Sequence, residues 1–285
     1  MRKMGMLIRT LWRVGEIFVR LLMVTFFVHA VIYLSPGRKA YRPEFSGAWE
    51  YIKALVGHYI SWFSAVLHGD FGTYQGVPII ERLITHLPRT LGLVAGALIV
   101  SSVLAGGLVF LSVIWRDRPA VKWVIQLVRF ISGMPILILC LLVIWARKHF
   151  MDFTPWMLLI LGVGDNTLGD YFTVLREEIG RILSQDYIGA AKGRGCSVLK
   201  HAAREISIAV LDIVFSRIPI LVGGVIIIEE SFAYFGLGHD IVEATNSQSI
   251  DLQMGVTVLI AAILIGTSGL KTVLHGVLDP RTHRS

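Results

Sequence analysis

The residues whose types and spacing suggest a task run from Asp186-Tyr187-Ile188-Gly189-Ala190-Ala191 through Lys192-Gly193-Arg194-Gly195. A turn-former is followed by an aromatic, by small residues at helical spacing and by a glycine stop. That pattern makes a short helix able to lie close against another protein, so the chemistry it offers is recognition. Catalytic patterns are missing. The chain has no Gly-x-x-x-x-Gly-Lys-Ser/Thr, no His-Glu-x-x-His and no Cys-x-x-Cys, and its nine histidines are scattered. It therefore has no P-loop for ATP, and no acid, base or metal ligands clustered at one level as a membrane enzyme requires. Cys140 and Cys196 lack disulfide or metal spacing and read as unpaired thiols.

A second set of candidates lies inside apolar runs: Asp165, Asp170, Asp212 and Arg217. A charge at the centre of a bilayer costs about 3 kcal/mol on insertion scales. Such groups either line a polar path for a solute or sit near the interface and snorkel to water. Asp212 and Arg217 are five residues apart, about 140° around a helix, so a direct pair between them is awkward. Gly92 with Gly96, Gly106-Gly107 and Gly223-Gly224 allow helices to approach closely. Pro135 and Pro219 are expected to kink their helices and to free carbonyls for neighbouring groups.

The elements that must position these residues are membrane helices. The 285 residues are 54% hydrophobic and only 16% charged, with a mean hydropathy of +0.67. Soluble domains carry about 25% charged residues, so the chain belongs to the membrane class. Six apolar runs are long enough to span, near 14–34, 90–114, 121–146, 154–175, 206–228 and 253–278. The fourth is the weakest because Asp165 and Asp170 interrupt it. Lys and Arg gather in the N-terminal tail, at 116–122, at 176–204 and in the C-terminal tail. With six spans all these fall on one side, which places both termini in the cytoplasm. The same rule accounts for the net charge of +7 without nucleic acid. The basic, then apolar N-terminus reads as an uncleaved first span. The segment 229–251 carries Glu229, Glu230, Asp240, Glu243 and Asp251 and no Lys or Arg. It belongs outside, where its charge would favour cationic cargo. In the outer loop 35–87, Ile52, Leu55, Tyr59, Trp62, Phe63 and Val66 have helical spacing. They suggest a helix lying in the interface, or a docking surface for an outside partner.

With the elements in place, the motifs resemble the permease subunits of ABC importers, in particular the dipeptide/oligopeptide/nickel permease family. Asp186-Tyr187, Ala190-Ala191, Gly195 and Lys200-His201-Ala202 resemble that family's cytoplasmic coupling loop, with Arg176 leading into it. Leu34-Ser35-Pro36-Gly37, His68-Gly69-Asp70-Phe71-Gly72 and Leu87-Pro88-Arg89-Thr90-Leu91 are similar to its motifs after span one, in the outer loop and at the start of span two. Gly223-Gly224, Glu229, Phe232 and Gly236-Leu237-Gly238, then Leu278-Asp279-Pro280-Arg281, resemble the fifth span and the C-terminal ending. The chain departs from the pattern at Gly189, Arg38, Ala209 and Phe235, and the coupling loop between Gly195 and Lys200 is shorter.

The resemblance implies an all-α polytopic protein of about six transmembrane helices, like a type I ABC-importer permease. It would be one membrane domain, 1–285, in a bacterial inner membrane. Loop 35–87 would be outside with its interfacial helix, and 176–205 would be the cytoplasmic coupling loop. The implied partners are a second permease subunit forming a heterodimer, two ATP-binding subunits that hold ATP and Mg²⁺, an extracytoplasmic solute-binding protein, and membrane lipid. Asp186, Tyr187, Ala190, Ala191, Lys192, Arg194, Gly195, Lys200 and His201 would couple to the ATPase. No cofactor or metal belongs to this chain. Pathway or substrate contacts would come from Asp165, Asp212, Arg217, Gly223, Gly224 and Glu229. Peptides are the commonest cargo such permeases carry. The alternative is an ion-coupled transporter or channel that uses Asp165, Asp170 or Asp212 as ion ligands.

Overall fold

The structure is a computed structural model and describes residues 2–34, 48–115, 118–146, 153–195 and 197–278. The motif residues Ser35, Pro36, Gly37 and Asp279 to Arg281, with Arg38 and Cys196, lie outside them. In chain order the elements are α1 (Arg2–Leu34), α2 (Ala48–Leu67), β1 (Thr73–Tyr74), β2 (Val77–Pro78), α3 (Ile79–Ile114), α4 (Pro119–Ser132) and α5 (Ile136–Trp145). There follow α6 (Thr154–Val163), α7 (Thr167–Leu183), α8 (Asp186–Gly193), α9 (Val198–Ser231), α10 (Leu237–Asn246) and α11 (Ile250–Leu278). They form two compact units, Met1–Pro88 with Phe235–Gly266, and Arg89–Tyr234 with Thr267–Ser285.

In the first unit the helical spacing of Leu55, Tyr59 and Trp62 does what an apolar stripe requires, and all three are buried. Tyr59, Trp62, Ile32, Ile250 and Met254 form one core cluster. The Tyr59 hydroxyl also lies 2.7 Å from Thr25 Oγ1. Helix α2 is thus packed against α1, while Ile52 on its other side stays exposed. The Gly-Asp-Phe-Gly stretch is a turn. Gly69 and Gly72 have φ of +81° and +80°, which only glycine adopts without steric cost, and Asp70 accepts a hydrogen bond from the Gly72 N–H. A two-residue hairpin turn at Gln75-Gly76, both with positive φ, then joins β1 to antiparallel β2.

In the second unit α9 is the central helix, in contact with α5, α6, α7 and α8. Tyr171 and Phe172 are almost completely buried in its main cluster, together with Leu168, Leu175, Ala105 and Ile213. Gly162 is needed there, because a Cβ would stand 2.9 Å from the Ala97 carbonyl oxygen. A Cβ at Gly224 would stand 3.0 Å from a Leu161 methyl, and one at Gly96 would clash with a Leu158 methyl at 2.7 Å. A Cβ at Gly92, Gly106, Gly107 or Gly223, by contrast, would meet nothing within 4 Å, so the expected close contacts do not form there among the described residues.

The apolar segments fall in the expected order, with two corrections. Four helices are long and apolar enough to span: Gly15–Leu34 in α1, α3, Ala202–Ser231 in α9, and Ile250–His275 in α11. The third segment is not one helix. It breaks at Gly133–Pro135, and α4 and α5 meet at 94°. The fourth is broken too, because Asp165 and Asn166 both take left-handed backbone, φ +51° and +60°. Short polar side chains tolerate that conformation better than others. It stops α6 after ten residues and starts α7. Residues 79–87 of the outer segment 35–87 are the first residues of α3. Pro88 and Pro219 sit inside continuous helices.

Candidate functional site

Helix α8 is positioned from behind. Ser184 and Gln185 turn the chain at the end of α7, and the Gln185 carbonyl receives the N–H groups of Ile188 and Gly189. Asp186 stands in the first turn, where a carboxylate is favoured by the helix dipole. Ile188 and Ala191, three residues apart, are buried. Ile188 joins Ile182, Ala202 and Ala209 in a small core that also takes in Ile206. The opposite face of α8, with Tyr187, Ala190 and Arg194, is exposed. Gly195, at φ +73°, ends the element in a conformation that suits glycine.

The expected coupling residues therefore divide in two. Asp186, Tyr187, Ala190 and Arg194 are presented outward, whereas Ala191 is fully buried and holds the helix on its support. The side chains of Lys192, Lys200 and His201 lie outside the described residues. One turn earlier on α7, Arg181 donates to Glu178 and holds that carboxyl below its usual range, chiefly by this hydrogen bond.

The charged groups of the spans are engaged with neighbours. Asp212 accepts from Lys271 at 2.7 Å and from His275 at 2.8 Å, which ties α9 to α11. Arg217 is buried, lies over the Tyr171 ring and stands 3.8 Å from Asp170. Asp165 accepts the Ile136 N–H at 2.9 Å and so caps α5. Its side chain is otherwise exposed. Glu229 is completely buried and accepts from Thr90 Oγ1 at 2.6 Å. Asp212 and Arg217 thus do not meet each other, as their spacing required, and each joins a different helix.

Two clusters were not anticipated, and spacing held a signal for the first. Arg82 and His86 are one turn apart on α3, and Asp240 and Glu243 are one turn apart on α10. Arg82 Nε donates to Asp240 at 2.8 Å and also pairs with Glu243, while His86 Nδ1 lies 2.7 Å from Asp240. Asp240 is completely buried. Two of the carboxylates expected to draw cationic cargo, Asp240 and Glu243, are therefore paired with Arg82 inside the first unit. The second cluster joins the two helix breaks. Ser132 Oγ donates to the Val163 carbonyl at 2.7 Å and accepts the Gly169 N–H at 3.0 Å, while the Asp165 N–H donates to the Met134 carbonyl. One hydroxyl closes the end of α6 and the start of α7.

Several apolar helices long enough to cross a membrane, with hydrogen-bonded breaks between the shorter ones, define a polytopic membrane protein. Residues 109–284, well over half of the chain, match the family described as "Binding-protein-dependent transport system inner membrane component", and the chain belongs to that family. It is 26% identical to the oligopeptide transport system permease protein AppB of Bacillus subtilis (strain 168), over 78% of this chain and 79% of that protein. It is 23% identical to the dipeptide transport system permease protein DppB of Escherichia coli (strain K12), over 99% and 97%. A shorter similarity, 34% identical over 37% of this chain and 36% of the relative, is to the dipeptide transport system permease protein DppB of Bacillus subtilis (strain 168). The protein is thus a multi-pass inner-membrane permease subunit of an ABC importer, forming part of the translocation pathway. It works with solute-binding and ATPase partners and, as such permeases generally do, with a second permease. ATP hydrolysis belongs to those partners.

Proposed function

We propose that this permease carries peptides or similar solutes as one half of a heterodimeric pathway, that residues 1–285 act as one permease domain, and that α8 docks into its ATPase. The observation that carries the coupling reading is the two-faced build of α8. Ile188 and Ala191 anchor it, while Tyr187, Ala190 and Arg194 face outward. A rigidly backed helix can transmit a partner's movement to α9, and through it bias two arrangements of the spans. In this reading two ATPase subunits bind ATP and Mg²⁺, and Arg194, Lys192 and Lys200 meet acidic groups on their surface. Asp165, with its exposed side chain at a helix break, is the best-placed of the intramembrane aspartates to touch solute. Peptide cargo is supported by the printed functions of the similar permeases.

The test compares two neighbouring substitutions in the assembled transporter. Ala190→Trp should leave membrane insertion and thermal stability intact while abolishing ATP-driven uptake of a labelled dipeptide. Ala191→Trp should lower stability as well, because no space exists for its side chain. Normal uptake by Ala190→Trp would remove α8 from the coupling role. Cells lacking the chain that still take up the dipeptide normally would remove the peptide assignment.

A further inference from the structure

The outward build of α4 is not used by the coupling reading. Its residues sort into three stripes. Val121, Ile125, Val128 and Ser132 turn toward the protein, with Ile125 and Val128 packed on the main cluster of the second unit. Trp123, Leu127 and Phe130, at i, i+4 and i+7, are 76%, 58% and 68% exposed. Lys122, Gln126 and Arg129, also at i, i+4 and i+7, form the third stripe. They line a cleft of about 490 Å³ together with Ser112 of α3 and Arg176 of α7.

The cleft holds three cations and no carboxylate. Arg129 donates to Thr173 Oγ1 and stacks over Phe172, contacts that orient the guanidinium without neutralising it. None of the three cations has an ion-pair partner among the described residues. An open basic cleft beside an exposed Trp-Leu-Phe stripe on the same short helix has the amphipathic form of a helix lying at a membrane surface. The sharp bend to α5 agrees with that, since α4 then leaves the direction of the following span.

Arg176 also fixes the end of the molecule concerned. It stands on α7 ten residues before Asp186, on the side leading to α8. If α8 meets the ATPase, as proposed above, the cleft opens at the cytoplasmic leaflet, and on that point the inference rests on the coupling reading. Anionic headgroups are concentrated at cytoplasmic surfaces, and basic pockets between membrane helices are suited to them.

We propose that Lys122, Arg129 and Arg176, with Ser112 and Gln126, bind the phosphate of an anionic phospholipid of the cytoplasmic leaflet. Its acyl chains lie along Trp123, Leu127 and Phe130. The lipid then bridges α4 and α7, the helix that ends at α8, so the composition of the leaflet acts on the same segment as the ATPase.

The experiment purifies the assembled transporter in mild detergent and exposes it to mixed micelles of phosphatidylglycerol and phosphatidylcholine. Lipid retained after washing is quantified by mass spectrometry. The wild type should retain phosphatidylglycerol selectively. The variant Lys122→Gln/Arg129→Gln/Arg176→Gln should retain it roughly a hundredfold less well, about fivefold for each lost cation, with phosphatidylcholine unchanged. The variant Lys122→Arg/Arg176→Lys should behave as wild type. The wild-type selectivity keeps the proposal testable even where the triple variant misfolds, and its absence overturns the proposal. Equal retention by a folded triple variant overturns it too. Displacement of the lipid by inorganic phosphate at equal concentration would make this a site for free anions instead. Loss of the ATPase partners from the triple variant with lipid retention unchanged would make it a protein-docking surface. Unchanged lipid selectivity in an Ala190→Trp complex that couples normally would sink the coupling reading alone.

Discussion

Substituting Ser132 by alanine should loosen the junction where both broken segments meet. The hydroxyl makes two hydrogen bonds, to the Val163 carbonyl and from the Gly169 N–H, and Ser132 is completely buried. A net hydrogen bond contributes about 1 kcal/mol, and a buried group left unpaired costs at least as much. Ser132→Ala should therefore destabilise the protein by about 2–3 kcal/mol, because the carbonyl and the N–H both lose their partner without water to replace it. For a chain of this size that is a melting shift on the order of 5–10 °C. The natural reporter is Cys140, a completely buried thiol one turn into α5. In a Cys196→Ser background, a thiol-reactive dye would read its exposure as the temperature rises. Ser101→Ala is the control. That serine is equally buried, but its hydroxyl bonds only to the Leu98 carbonyl of its own helix. A Ser132→Ala melt that coincides with the control would refute the argument that the two breaks are locked by one side chain.

Arg82→Ala should cost about 3–5 kcal/mol by leaving the buried Asp240 carboxylate to His86 alone. Adding Asp240→Asn should recover part of that loss in the same melt. Gly162→Ala should destabilise by about 1–3 kcal/mol, since the added methyl meets backbone, whereas Gly223→Ala should melt as wild type. Lys271→Ala should cost under about 1 kcal/mol, because its pair with the half-exposed Asp212 is screened. The difference between it and wild type should shrink in high salt. A salt-independent loss would place that pair out of reach of solvent.

What could be read from the residues follows physical range. Apolar runs, the capping and glycine pattern of α8, and the turn at Gly69–Gly72 are local, and each stands where its residues put it. Pro135 announced the break after α4. The break at Asp165-Asn166 was visible only as a dip in hydropathy, and the capping of α5 by the Asp165 carboxylate was not visible at all. Ala191 and Ala190 are indistinguishable as residue types, and only the packing of α8 on α9 tells the anchor from the exposed face. The partners of Asp240 and Glu229 lie more than a hundred positions away, so no window of sequence could pair them. Of the paired glycines only Gly96 and Gly224 have a close neighbour among the described residues: smallness permits close approach, but a neighbour must be there to use it.

The separation between Arg82 and Asp240 also imposes an order of events during synthesis. Ser132 can find Val163 and Gly169 as soon as about fifty residues have followed α3, because loop closure over so short a stretch is easy. Arg82 and His86 leave the ribosome 158 and 154 positions before their carboxylate. At ordinary translation speeds that is an interval of about 8–30 s. Throughout it Arg82 and His86, near the outer end of α3, wait for the carboxylates of α10 that are still unmade. A chain cut short before α10 would insert most of its spans and still be recognisable to quality control by that one uncovered end.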